Sequence, residues 1–295
     1  MSEALTLTAP VVAPAGRGVW RTLRRRPVFW VSAAALAVLA LIAVFPSWFA
    51  GWFGHGDPRA CDLTNSAQSP GGGHIFGTDV QGCDVYATVI YGTRASLTVG
   101  LLCTALALVV ALVLGTLAGF YGGIADRIIA RLTDVFLGFP FLLGAVVVLT
   151  SIGTRSAVTV ALVLALFSWP TMARLVRGSV RAVRDAPYVE AAQSMGLSDR
   201  RIIARYVLPN SIGPVLAIAT TMVGGVIVSE STLTFLGLGL RAPSISWGLQ
   251  LSSAQTYFQT SPHMLVFPSI FLTVTVLAMI ALGDTLRDVL DPKGR

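Results

Sequence analysis

The segment YVEAAQSMGLSDRRIIARYVLPN, residues 188–210, gathers Glu190, Arg200, Arg201 and Arg205 in a chain where only 12% of residues are charged. A carboxylate among guanidinium groups can close an exposed ion pair within its own segment, worth about 0 to 1 kcal/mol. It can also offer its charge to another protein. The residues that most often carry catalysis are poorly placed. His55, His74 and His263 stand in or beside polar loops and no H-E-x-x-H occurs, so no metal centre is expected. The usual phosphate-binding loop needs G-x-x-x-x-G-K followed by Ser or Thr, and the single lysine, Lys293, precedes Gly294. No catalytic residue, metal or cofactor is therefore expected on this chain. Glu230, between Ser229 and Ser231 at the end of an apolar run, is the best intramembrane polar candidate for a transport pathway. The alternative, a structural carboxyl satisfied by its neighbours, is preferred.

The elements that must position these residues are membrane helices. The chain of 295 residues is 54% hydrophobic, with mean hydropathy +0.75, too little polar surface to cover a soluble globule. Uncharged windows at 28–45, 95–125, 135–154, 156–173, 206–229 and 242–283 accommodate six crossings of about 20 residues each, the last within Met264 to Leu282. They are continuously apolar, unlike the alternating strands of a membrane barrel. The expected class is all-α integral membrane with six transmembrane helices. The expected organisation is a leader at 1–27, a first membrane helix at 28–50, an external loop at 51–93, a core at 94–288 containing the segment 185–210, and a tail at 289–295.

Net charge +7 does not point to nucleic acid, because the charge is sorted by loop. With the amino terminus in the cytoplasm, 17 of 21 basic residues fall inside and only Arg59, Arg94, Arg155 and Arg241 outside. Both termini are then cytoplasmic, and the surrounding partner is lipid. Cys103 lies inside an apolar run, whereas Cys61 and Cys83 share the long external loop, where an oxidising compartment lets them pair. Gly122 and Gly123 should break one helix with Asp126 capping the next, and Pro140 and Pro170 should kink their spans. The short SIGTRS makes its flanking spans antiparallel neighbours. Asp284, Arg287 and Asp288 read as an ion-pair cluster at the cytoplasmic end.

Within 185–210, Asp185 and Pro187 suit a first turn, Gly196 suits a helix stop, and Ser198 can cap a second helix that ends at Pro209 and Asn210. The short first helix presents Val189, Ala191 and Ala192 as small apolar surface, and being marginal alone it needs something to hold it. Glu190, Ala191, Ala192, Gly196 and Pro209 resemble the cytoplasmic EAA motif of permease subunits in binding-protein-dependent ABC importers. HIFGTDVQGCDVYATVIYGTRASLTVG (74–100), FLGLGLRAPSISWG (235–248) and LGDTLRDVLDP (282–292) are similar to the C-type permeases of the dipeptide, oligopeptide, nickel and glutathione group. The resemblance covers most of the chain beyond about residue 70. It departs at Cys83, where the group usually has the arginine of a G-R-D triplet, and in TYFQTSPHMLVFP, which lacks a tryptophan pair.

The resemblance implies a type I importer permease fold. It assigns contact with an ABC ATPase to Glu190, Ala191, Ala192, Met195, Gly196 and Leu197, with ATP and Mg on the ATPase. It also implies a B-type permease as heterodimer partner, an external substrate-binding protein, and short peptides as substrate. Two other classes fit less well. Gly283-Asp284 is faintly similar to the Gly-Asp of membrane aspartyl proteases, but no second membrane aspartate is present to share a proton. An ion-coupled carrier would place more charge within its spans.

Overall fold

Apolar runs bounded by proline, glycine and capping residues build the long helices of the computed structural model, which describes residues 20–53 and 56–290. The leader expected at 1–27 falls mostly outside the described residues, as do His55 and most of the tail. In chain order the helices are α1 (Pro27–Val44), α2 (Pro46–Phe53), α3 (Val85–Tyr121), α4 (Gly123–Gly138), α5 (Phe141–Ser151) and α6 (Ala157–Arg184). They continue as α7 (Pro187–Ser194), α8 (Asp199–Ile202), α9 (Leu208–Phe235), α10 (Trp247–Ala254) and α11 (His263–Leu290). Helices α1, α3, α6, the continuous α8–α9 rod and α11 are each long and apolar enough to cross a membrane. The pair α4 and α5, bent by 83°, passes the same test only when taken together, which makes five candidate crossings, or six with this pair as one span.

Several boundaries differ from the sequence expectation for identifiable reasons. The window at 135–154 is not one straight span, because the helix stops at Phe139 and Pro140 starts a new one. Pro170, by contrast, sits inside the unbroken α6. The first helix ends at Val44 and restarts at Pro46, whose missing N–H suits a first turn. Helix α3 begins at Val85 rather than near residue 94, since the Asp84 carboxylate accepts a bond from the Ala87 N–H at 3.1 Å. Gly122, at φ +66°, supplies the break before α4, and Asp126 does not cap that helix but binds Arg177 across to α6. Pro209 and Asn210 do not end a helix. The backbone widens into a π turn at Ile203–Val207 and continues, with the Asn210 amide donating to the Tyr206 carbonyl at 2.6 Å. A π turn absorbs the donor that proline lacks without breaking the rod.

The tightest helix pair is α3 against α6. A Cβ added to Gly115 would lie 2.8 Å from the Ala173 carbonyl oxygen, and one added to Gly119 would lie 2.8 Å from that of Arg177. Small residues four apart let two backbones approach where lipid gives no hydrophobic drive. Helices α5 and α6 are packed neighbours as SIGTRS predicts, with Ala145 and Leu149 in one core cluster with Val160 and Leu164.

At the end of the bundle away from α7, residues 56–84 form a cap closed by the Cys61–Cys83 disulfide. The Asp62 N–H donates to the Gly82 carbonyl, and a Cβ on Gly82 would lie 1.8 Å from the Asp62 carbonyl oxygen, so only glycine fits there. Loss of water raises the Asp79 carboxyl pKa, resisted by the N–H groups of Cys83, Gln81 and Gly82 that point at it. The cap rests on the bundle through stacked Phe76 and Phe267 rings, centroids 3.9 Å apart, and a 3.0 Å contact from His263 Nε2 to the Thr78 carbonyl. With the cysteines 22 positions apart, the paired Cys61→Ser and Cys83→Ser changes should cost the cap about 3 kcal/mol in the chain-entropy account. Hydrogen exchange across 61–83 should rise accordingly; unchanged protection would show that the cross-link contributes little.

Candidate functional site

Helix α7 is short and two-sided. Ala186 precedes it with extended backbone, Pro187 occupies the first turn, and Glu190 lies near the positive end of the helix dipole. At its far end the Gly196 N–H donates to the Gln193 carbonyl and the Leu197 N–H to the Ala192 carbonyl. This reverse turn needs φ > 0, and Gly196 provides it at +76°. Asp185 belongs to the preceding helix end, where Arg184 holds it at 2.9 Å, and not to the first turn of α7.

Val189 and Ala192 are fully buried, in one cluster with Phe120 of α3, Val180 of α6, Ile202 of α8 and Val207 of the π turn. Leu197 packs against the same cluster. Of the three residues expected to offer a small apolar surface outward, two therefore point into this chain's own core. Ala191 is exposed, and beside it stand Tyr188, Glu190 and Met195, the last 69% exposed. Glu190 makes no ion pair with any described residue, and Arg200, Arg201 and Arg205 are exposed and also unpaired. The exposed ion pair within the segment does not form.

The helices behind α7 are tied to one another by ion pairs and a cap. Arg177 binds Asp126 through two guanidinium nitrogens, one at 2.7 Å, and Arg181 approaches the same carboxylate at 3.9 Å. Arg184 caps α3 by donating to the Phe120 carbonyl at 3.1 Å. Through Val189 and Ala192, α7 is thus packed on α3, α6 and the start of the α8–α9 rod together. Asp284, Arg287 and Asp288 do not form the expected cluster, because Asp288 pairs instead with Arg26 at 2.7 Å, joining the start of α1 to the end of α11.

Glu230 is 0% exposed. Its carboxyl accepts from Thr234 Oγ1 at 2.8 Å, Ser231 Oγ at 3.3 Å and Ser96 Oγ at 3.4 Å, and the Ser246 hydroxyl also faces it. The cluster joins α3, α9 and the start of α10. Thr234 in turn accepts the Leu240 N–H, and the buried Trp247 donates to the Val89 carbonyl at 3.1 Å, so α10 is held on the shoulder of α3. Sequence reasoning missed this docking. Its one local signal is Ser246 before Trp247, which caps α10 by accepting the Leu249 N–H. No group of three or more His, Cys, Asp or Glu suited to a metal occurs among the described residues.

Residues 111–295 match the family described as binding-protein-dependent transport system inner membrane component. The chain belongs to that family. It is a permease subunit of an ABC importer, a multi-pass inner-membrane protein without enzymatic activity of its own. The permease is 36% identical over 296 residues to the glutathione transport system permease protein GsiD of Pectobacterium atrosepticum, covering 99% of this chain and 97% of that one. It is equally identical over 274 residues to GsiD of Escherichia coli O6:K15:H31, covering 93% and 89%. In fold it is similar to a chain of the MetNI methionine ABC transporter in an inward facing conformation, with TM-score 0.54 and 17% identity, covering 68% of this permease and 96% of that chain. The resemblance read from the EAA segment and the later loops is thereby confirmed.

Proposed function

We propose that this permease is the C-type half of a heterodimer with a B-type permease, and that α7 docks on an ABC ATPase that binds ATP and Mg. An external substrate-binding protein delivers the solute, and the class of solute is short peptides. Support for that class comes from the relatives named for glutathione, which is itself a tripeptide. The α7 end faces the cytoplasm in this reading, with both chain termini on that side. The four basic residues left at the opposite end agree with it, since three of them are engaged in structure. Arg94 donates to the Ala43 and Val44 carbonyls, Arg155 to Gly237 and Arg59 to Pro243.

The observation that carries the reading is the division of α7 into an anchored face and a free one. Val189 and Ala192 fix the helix to the bundle, which leaves Tyr188, Glu190, Ala191 and Met195 to meet a partner, with Gly196 and Leu197 setting the turn behind them. Glu190 supplies the charge for a basic residue on the ATPase. Glu190→Ala should weaken capture of the ATPase by the tagged permease about 30-fold or more, from the roughly 2 kcal/mol or larger cost of truncating one partner of a buried interfacial charge pair. Capture and ATP-driven peptide uptake both at wild-type levels in that variant would contradict the assignment.

A further inference from the structure

The elbow between α4 and α5 bares backbone at membrane depth. Phe136, in the last turn of α4, meets the rings of Phe167 and Trp169 at 6.2 and 5.5 Å, and both lie in the uncharged stretch of α6 that ends before Arg174. The bend is therefore level with the apolar layer and not with the charged cytoplasmic rim. Across the break two backbone bonds close: the Phe139 N–H donates to the Phe136 carbonyl at 3.3 Å and the Gly144 N–H to that of Pro140 at 3.0 Å. The carbonyls of Leu137 and Gly138 and the N–H groups of Phe141, Leu142 and Leu143, at the two helix ends, have no partner among the described residues. The segment is also uncovered, with Phe139 60% and Leu143 63% exposed.

Lipid cannot serve these groups. Hydrocarbon offers no hydrogen bonds, and backbone left open at that depth is found against protein or beside water. Nor is this face built like the wall of an aqueous path. No residue from Val135 to Leu149 carries a polar side chain, whereas a site for a polar solute needs a few placed polar groups among its apolar ones. The bend instead opens a groove of about 380 Å³ walled by Val135, Phe139, Leu143, Val147 and Phe167, wide enough for a large apolar side chain. Helix α1 shows the contrast. Its buried residues are Ser32, Leu39 and Ile42, and exposed tryptophans flank it, Trp20 and Trp30 at one end and Trp48 and Trp52 beyond the other. Tryptophan at both interfaces marks a helix that faces lipid. The stretch from Gly123 to Ser151 holds neither tryptophan nor tyrosine.

We propose that the α4–α5 elbow is the seat of the second permease of the importer. One helix of that subunit lays a large apolar side chain in the groove and sets hydroxyl or amide groups against the open carbonyls and N–H groups of residues 137–143. Close packing and interhelical hydrogen bonds are what associate helices within lipid. The inference deepens the heterodimer reading above and rests on it for the identity of the occupant.

The test uses the complete importer in nanodiscs, with the photoreactive residue p-benzoylphenylalanine placed at Leu143 in one variant and at Val38 of α1, 51% exposed, in another. Illumination should join the first variant to the second permease and the second variant to phospholipid. Phe139→Ala trims a side chain that is exposed in this chain and should lower recovery of the second permease about tenfold, the loss expected for an aromatic anchor at the centre of an interface. Phospholipid adducts at Leu143 overturn the proposal, as does labelling of Leu143→Cys by a charged maleimide from water or wild-type recovery in Phe139→Ala. Mass spectrometry of the purified complex separates this inference from the reading beneath it. A B-type permease that is present but never reached from Leu143 keeps the heterodimer and sinks the seat. An adduct joining two copies of this chain, with no other permease recovered, keeps the seat and sinks the B-type partner.

Discussion

Val189→Asp in α7 should uncouple the transporter. The Val189 side chain is fully buried between the ends of α3 and α6 and the start of the α8–α9 rod. A carboxylate placed there meets apolar neighbours and would cost several kcal/mol unpaired. The cheaper outcome is for α7 to leave its seat. An eight-residue helix has almost no stability of its own, so a detached α7 melts into a loop and transmits no displacement. Uptake should fall by more than about tenfold, while membrane insertion and the Cys61–Cys83 cross-link, at the far end, stay intact. Val189→Ala, which removes only methyl groups, should cost about 1 to 2 kcal/mol and leave partial uptake. Normal uptake by the aspartate variant would mean that force does not pass through this helix.

This effect could not have been placed from the sequence alone. The EAA pattern marks where the segment is, and Gly196 marks its end, because a glycine stop has a local conformational cause. Which alanine faces the partner depends on what lies behind the helix. Val189 and Ala192 point inward because Phe120, Val180 and Ile202 stand there, from parts of the chain remote in sequence. The membrane windows were legible because apolar length is a direct requirement of the bilayer. The break at Pro140 was not, since the residues on both sides are apolar and composition is blind to a bend of 83°. Pro209 misled for the opposite reason: its intrinsic preference is to begin or stop a helix, and packing of the rod overrode it with a π turn. The disulfide was legible from its compartment. Arg177 as the partner of Asp126 and Ser96 as a partner of Glu230 were not, lying 51 and 134 residues away.

Glu230 gives the second large effect, and two substitutions separate its possible roles. Alanine removes an acceptor on which the Thr234, Ser231 and Ser96 hydroxyls converge and leaves a void at the junction of α3, α9 and α10. Removing one member of a fully buried polar cluster and opening a cavity together should cost about 3 kcal/mol. Hydrogen exchange should rise first at residues 238–250, which Thr234 and Trp247 hold in place. Glutamine keeps a side-chain oxygen for Thr234, and its new N–H groups, in place of the other carboxyl oxygen, can donate to the Ser231 and Ser96 hydroxyl oxygens. Its cost should stay near 1 kcal/mol, with uptake retained. A carboxylate that acted on the solute through its charge would behave differently, because glutamine would then abolish uptake as completely as alanine. The burial of Glu230 argues for the first pattern; uptake lost in Glu230→Gln at wild-type abundance would return this residue to the transport pathway.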